Sequence, residues 1–176
     1  MKNIEVEVRS FISRNEYKKL EKILKKEAKL IGLINEETVY LGGTKNDLRI
    51  RRNKKEASLI LKVGKIHDDF REEIEIKLKK DDFKKTEELF ERLGHKEKIR
   101  WFRKRLLFKW GEIKVFLDDT KDYGLIVELE RIGFSRNKKE IHRELENKLK
   151  HLGIKATPKK VFEEKFKYYK NNWKKF

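Results

Sequence analysis

Ile4-Glu5-Val6-Glu7-Val8-Arg9 alternates apolar and charged residues without a break. A period of two is the pattern of a β-strand with two different faces. Val6 and Val8 share one face; Glu5, Glu7 and Arg9 take the other, with the two carboxylates about 7 Å apart by strand geometry. Either that charged face meets solvent, or something multivalent is held against it.

The same alternation recurs along the chain. Leu48 and Ile50 oppose Arg49 and Arg51, and Leu59, Leu61 and Val63 oppose Lys62. Ile74, Ile76 and Leu78 oppose Arg71, Glu73, Glu75 and Lys77. Phe102, Leu106 and Phe108 oppose Arg103 and Arg105; Val115 and Leu117 oppose Asp118; Val127 and Leu129 oppose Glu128 and Glu130. With a short run at 37–42, these give eight expected strands, at about 3–12, 37–42, 47–53, 57–65, 71–79, 98–110, 112–120 and 125–132.

Helix signals interrupt them only twice. Ser13-Arg14-Asn15-Glu16 is a capping box, followed by Tyr17, Leu20, Ile23, Leu24 and Ile31 on one face and Gly32 as the stop. Asp81 or Asp82 opens a helix carrying Phe83, Leu89, Phe90 and Leu93, stopped by Gly94. Two more helices close the chain, one capped by Ser135 and one opened by Thr157-Pro158 with Pro at its first helical position. The expected fold is α+β: an eight-stranded antiparallel β-barrel, since closure removes exposed strand edges, surrounded by about four α-helices. All 176 residues read as a single domain, with strands at about 3–132 and C-terminal helices at about 135–173.

If the helices cover the apolar faces from outside, the charged faces point into the barrel. Burying so many charges without a partner is prohibitive, so the interior is expected to be wet or filled by ligand. A phosphate chain with a divalent metal meets both needs. Carboxylates suit Mg²⁺ or Mn²⁺, and guanidinium groups grip phosphate oxygens in pairs.

Composition sets the outer bounds. There are 48 Lys+Arg against 31 Asp+Glu, a net charge of +17, which favours polyanionic partners and leaves nucleic acid open through a basic surface. The absence of cysteine excludes disulfides and thiolate metal sites, and the histidines (His67, His95, His142, His151) lack metal-ligand spacing. Abundant Lys, Glu and Ile without glutamine is a thermophile-like composition. No apolar span approaches membrane length and no signal peptide opens the chain, so a cytoplasmic protein without membrane attachment is expected.

The charged stretches, taken in order, resemble a known family. Glu5-Val6-Glu7-Val8-Arg9 is similar to the ExExK signature that opens CYTH-domain proteins, the triphosphate tunnel metalloenzymes. Leu48-Arg49-Ile50-Arg51, Leu59 to Lys62, Arg71 to Glu75, Arg103-Lys104-Arg105, Leu117-Asp118 and Glu128-Leu129-Glu130 continue the resemblance. It implies a tunnel binding a small triphosphate with a divalent metal, in a family of inorganic and thiamine triphosphatases, class IV adenylyl cyclases and certain RNA 5′-triphosphatases. By that resemblance Glu5, Glu7, Asp118, Glu128 and Glu130 hold Mg²⁺ or Mn²⁺, with Glu5 and Glu7 catalytic. Arg9, Arg49, Arg51, Lys62, Arg103 and Arg105 clamp phosphate, and Glu73 and Glu75 belong to the interior network. Arg9 replaces the signature lysine, keeping the charge but with a larger fork. The expected activity is hydrolysis of a triphosphate. The alternatives are cyclisation of ATP, or binding of polyphosphate or RNA ends without turnover, with Trp101, Trp110, Trp173 and Tyr168-Tyr169 as candidate stacking platforms.

Overall fold

The N-terminal alternation becomes β1 (Ile4–Ile12), which pairs antiparallel on both sides. Glu7 lies opposite Glu130 of β8 (Gly124–Gly133), and Glu5 opposite Arg71 of β5 (Phe70–Lys79). The computed structural model describes residues 3–64, 66 and 68–175; Lys65, expected to end a strand, and His67 lie outside them. Between these strands come α1 (Arg14–Glu27), β2 (Lys29–Leu41), β3 (Asp47–Arg52), β4 (Glu56–Val63), α2 (Asp82–Arg92), β6 (Glu97–Trp110) and β7 (Ile113–Thr120). Two helices follow, α3 (Lys138–His151) and α4 (Lys159–Asn172). The strand order β1-β5-β4-β3-β2-β6-β7-β8 closes on itself with every neighbour antiparallel, so the expected eight-stranded α+β barrel is the fold.

The Ser13 capping box forms as its spacing requires: the Ser13 hydroxyl accepts from Glu16 N and the Glu16 carboxylate accepts from Ser13 N. Leu20 and Leu24 then face the core. This helix stops at Glu27, however, four residues before Ile31. Ile31 and Gly32 belong to β2, a 13-residue strand where only a short run at 37–42 was expected. Ile31 is 52% exposed and takes no part in the helical face. At the third helix the N-cap is Asn137, not Ser135, and its side-chain oxygen accepts from Phe134 N. Pro158 is the N-cap of α4, with an extended ψ of 141°, and so stands one residue before the expected position.

Three apolar clusters hold the ring. Outside β1, β7 and β8, Val6, Val8, Val115, Leu117, Val127 and Leu129 pack under Leu20 and Leu24 of α1 and Ile141, Leu145 and Leu149 of α3. Gly133 lets β8 approach α3, since a Cβ there would collide with Ile141. Phe83 of α2 covers Val39, Ile50 and Ala57 outside β2, β3 and β4. Fully buried aromatic and aliphatic side chains of this kind contribute about 1.5–3 kcal/mol each.

The fourth helix does not join this outer shell. Phe162 and Tyr169 of α4 pack with Tyr40, Trp101, Tyr123 and Ile126. Tyr40 lies opposite Arg49, Trp101 two residues before Arg103, and Ile126 opposite Asp118, so they share the inward parity. The helix therefore closes one end of the barrel. Helical cover of the outer apolar face is correspondingly incomplete: Leu33, Ile74 and Ile76 are 61%, 49% and 53% exposed. No helix among the described residues is long and apolar enough to cross a membrane.

Candidate active site: a charged tunnel closed at one end

Strand register settles where the charges point. Glu5 pairs with Arg71, Arg9 with Glu128, Lys62 with Glu73 and Asp47, Arg105 with Asp118, and Lys114 with Glu130. Directly paired residues share a face, so the charged faces of all these strands look inward. All of these residues but Asp47 and Asp118 line a cavity of about 260 Å³, together with Arg49, Arg51 and Glu75. Every residue expected to hold metal or phosphate lies on this inward face; of the candidate stacking residues, Trp101 and Tyr169 are buried in the cluster that closes the barrel, Trp110 packs on the outer shell, and Tyr168 is exposed on α4. Glu75 is exposed towards the open end, and Arg51 and Glu73 are half-buried.

The inward charges are paired one against another. Lys62 Nζ donates to Glu5 at 2.7 Å and lies 2.8 Å from Glu73. Arg71 bridges Glu7 and Asp47, both at 3.0 Å, and Asp47 also takes both arms of the Arg49 fork. Arg103 and Arg105 converge on Asp118 at 3.0 and 2.7 Å, and Arg105 reaches Glu128 at 3.1 Å. Arg9 sits 3.2 Å from Glu7. Aromatic faces support the cations from behind: Phe116 lies 3.9 Å from the Arg105 guanidinium, Tyr40 4.7 Å from Arg49 and Phe162 4.7 Å from Arg9.

Glu36, Asp47 and Lys114 are inward charges that were not singled out from sequence, and Arg71 was given no role there. Glu36 lies between Arg105, Arg103 and Arg51 at 3.5, 3.8 and 4.0 Å. Burial pushes its carboxyl up, but the three guanidinium groups outweigh that and hold it at about 2. Asp47 joins Arg49 to Arg71, and Lys114 holds Glu130 at 2.8 Å. Arg71 is visible in the R-x-E-x-E stretch but had no role there; here it ties β1 to β3 through two carboxylates.

Glu130 is the opposite case to Glu36. Burial, and then the charges of Glu5 and Glu128, raise it to about 7 despite Lys114 beside it. Glu7 also lies directly across the ladder from it, a like-charged pairing that destabilises a sheet. The β1–β8 seam thus concentrates negative charge. Among the described residues no three carboxylates converge as a preformed metal site. The donor set is nevertheless all oxygen, as Mg²⁺ or Mn²⁺ prefers. Several buried polar atoms along the wall have no hydrogen-bond partner: Glu36 Oε2 and the Nε atoms of Arg51, Arg71 and Arg103. Such atoms are costly unless something else satisfies them.

A closed antiparallel ring with an inward face of interleaved Glu and Arg is the arrangement that the resemblance implied, and a family match agrees: residues 3–160 match the CYTH domain. The chain belongs to the CYTH domain family. A relative from Methanocaldococcus jannaschii, provisionally named an adenylate cyclase, is 30% identical over 162 residues, covering 86% of this chain and 90% of that protein. The structure of a conserved protein of undescribed activity from Pyrococcus furiosus superposes with a TM-score of 0.74 at 26% identity, covering 88% of this chain and 95% of that one. A Hippeastrum protein, described as a provisional adenylyl cyclase with a dominant triphosphatase activity, shares the fold at a TM-score of 0.64 and 17% identity, covering 88% and 89%.

Proposed function

We propose that this CYTH protein hydrolyses a triphosphate, tripolyphosphate or a nucleoside triphosphate, with the help of a divalent metal. The observation that carries the reading is the set of paired inward charges with unsatisfied guanidinium nitrogens among them. Each inward cation already has a carboxylate partner, so a polyanion alone would gain little by displacing it. Phosphate together with a metal cation resolves this: phosphate oxygens take the Arg and Lys donors, and the released carboxylates become oxygen donors to the metal. Glu5, Glu7, Glu128 and Glu130, with Asp118, would hold Mg²⁺ or Mn²⁺, which would neutralise charge on the phosphates and lower the pKa of water. Arg9, Arg49, Arg51, Lys62, Arg103 and Arg105 would clamp and align the chain, with Glu36, Asp47 and Arg71 holding those clamps in place. Phosphoryl transfer asks mainly for positioning and charge neutralisation, and these residues supply both.

A second reading has one specific support, the adenylate cyclase name of the Methanocaldococcus relative. In it the same pocket holds ATP and the ribose 3′-hydroxyl attacks the α-phosphorus, expelling pyrophosphate. One experiment separates the two. Phosphate, pyrophosphate and cyclic AMP are measured from tripolyphosphate and from ATP with Mg²⁺ or Mn²⁺, beside a Glu5→Gln/Glu7→Gln control. Free phosphate that disappears in the control supports the triphosphatase; cyclic AMP with pyrophosphate moves the protein to the cyclases; no product from either sinks both.

A further inference from the structure

A second cavity, of about 710 Å³, runs around the outward-facing Phe102 and borders the tunnel at Glu36, Arg52, Asn53 and Arg103. Phe102 has the outward parity of β6 and is 46% exposed, a large aromatic that no helix covers. Around it stand Lys54, Lys80, Lys104 and Lys121, all exposed and none in an ion pair among the described residues. The acidic side chains of the same groove, Glu36, Glu37 and Asp119, already face guanidinium groups. Glu37 accepts from Arg52 at 2.7 Å and from Arg100, and Asp119 accepts from Arg14 at 3.2 Å.

Backbone pairing fixes the layout. Arg52 lies opposite Glu37 and Glu37 opposite Phe102, while Lys121 N donates to Phe102 O at 3.0 Å. Four adjacent chain segments place these residues in a row about 14 Å across. Lys104, between Asn35 and Asp119, lies two residues along β6 from Phe102, about 7 Å away. An exposed ring with unpaired cations on either side along a shallow groove is the arrangement that binds a single strand: a base stacks on the ring and the flanking phosphates meet the lysines. A protein partner would also need to satisfy four unpaired ammonium groups on a chain of net charge +17, which a polyanion does at every step.

We propose that this groove binds single-stranded nucleic acid, with Phe102 as the stacking platform and Lys54, Lys80, Lys104 and Lys121 as phosphate contacts. The groove meets the tunnel at Glu36, Arg52, Asn53 and Arg103, but Phe102 and the four lysines lie outside the tunnel lining. The test uses fluorescence anisotropy with a labelled oligouridylate of about 12 nucleotides bearing a 5′-hydroxyl, within the site sizes typical of such grooves, so that no triphosphate engages the tunnel. Phe102→Ala is expected to weaken binding roughly 5- to 150-fold. Lys54→Glu/Lys104→Glu/Lys121→Glu is expected to weaken it as well and to flatten the salt dependence by about 2 in log–log slope. Both variants should keep the thermal midpoint of the parent and its rate on tripolyphosphate.

Lys139→Glu/Arg143→Glu/Lys150→Glu on α3 provides the charge-matched control. The proposal is overturned if this control weakens binding as much as the groove variant, because the attraction would then be net charge alone. It is equally overturned if Phe102→Ala leaves affinity unchanged, if a duplex of the same length binds as tightly as the single strand, or if the parent protein does not bind at 50 mM salt.

Discussion

Replacing Glu36 by glutamine tests the electrostatics of the tunnel directly. Its carboxyl is held at about 2 against an ordinary 4.5, and its side chain is only 8% exposed, so solvent does little to screen it. The ionised form therefore favours the fold by about 3 kcal/mol. Glutamine keeps the shape but leaves Arg51, Arg103 and Arg105 to repel one another. At pH 7 the variant should lose about 2–3 kcal/mol, a fall of roughly 5–10 °C in Tm for a chain of this length. Because the folded carboxyl is depressed, its contribution is complete above about 4.5 and is lost as pH falls through about 2, so the two melting curves should converge in acid. Tripolyphosphate should stabilise the variant more than the parent, since phosphate oxygens can replace the lost carboxylate. The assay is thermal and urea unfolding from pH 2 to 8 with and without tripolyphosphate in EDTA. An unchanged Tm at pH 7, or equal stabilisation of both proteins by tripolyphosphate, would refute the reasoning.

Other outcomes follow from the same geometry. Glu130→Gln should be more stable than the parent at pH 8 by up to about 3 kcal/mol, because a carboxyl raised to about 7 destabilises the fold once ionised; the gain should vanish below pH 4.5, while phosphate release from tripolyphosphate falls. Phe162→Ala removes a ring that is 3% exposed and stacked on Phe11 at 4.4 Å, and should cost about 3–5 kcal/mol in urea unfolding. Arg100 joins Glu87 of α2 to Glu37 of β2 and to Glu97, so Arg100→Ala should cost about 1–3 kcal/mol. Hydrogen exchange should then accelerate in α2 before it does in the sheet; uniform acceleration would show that the network does not anchor that helix.

Parity made most of the barrel legible. In β1 the alternation is unbroken over 4–9 and in β5 over 73–79, long enough that one boundary error cannot flip the faces. It failed in the first half of β2. Leu30, Ile31, Leu33 and Ile34 continue the helical spacing of α1, and Gly32 imitates a helix stop, so Glu36 was never placed on a strand. Asp47 and Lys114 were missed for a simpler reason: they stand at strand beginnings, where a period has not yet declared itself. The role of Arg71 depends on the curvature that brings Glu7 and Asp47 to one guanidinium, and no local pattern encodes that curvature. The plugging of the tunnel by α4 is likewise a tertiary choice. Its apolar face suits the outside of a sheet as well as the end of a ring.

The seam between β1 and β8 has a consequence for how the protein comes into being. Ile4 pairs with Gly133, so the first strand made is closed by the last, with the other six strands lying between them in the sequence. Contacts of that separation are entropically late and slow. During synthesis β1 and its carboxylates must wait, with one edge open, until β8 has left the ribosome. In the meantime α1 can fold on its own capping box and shelter the apolar side of β1. The charged tunnel would thus be among the last parts of the molecule to exist, completed at the same moment as the ring.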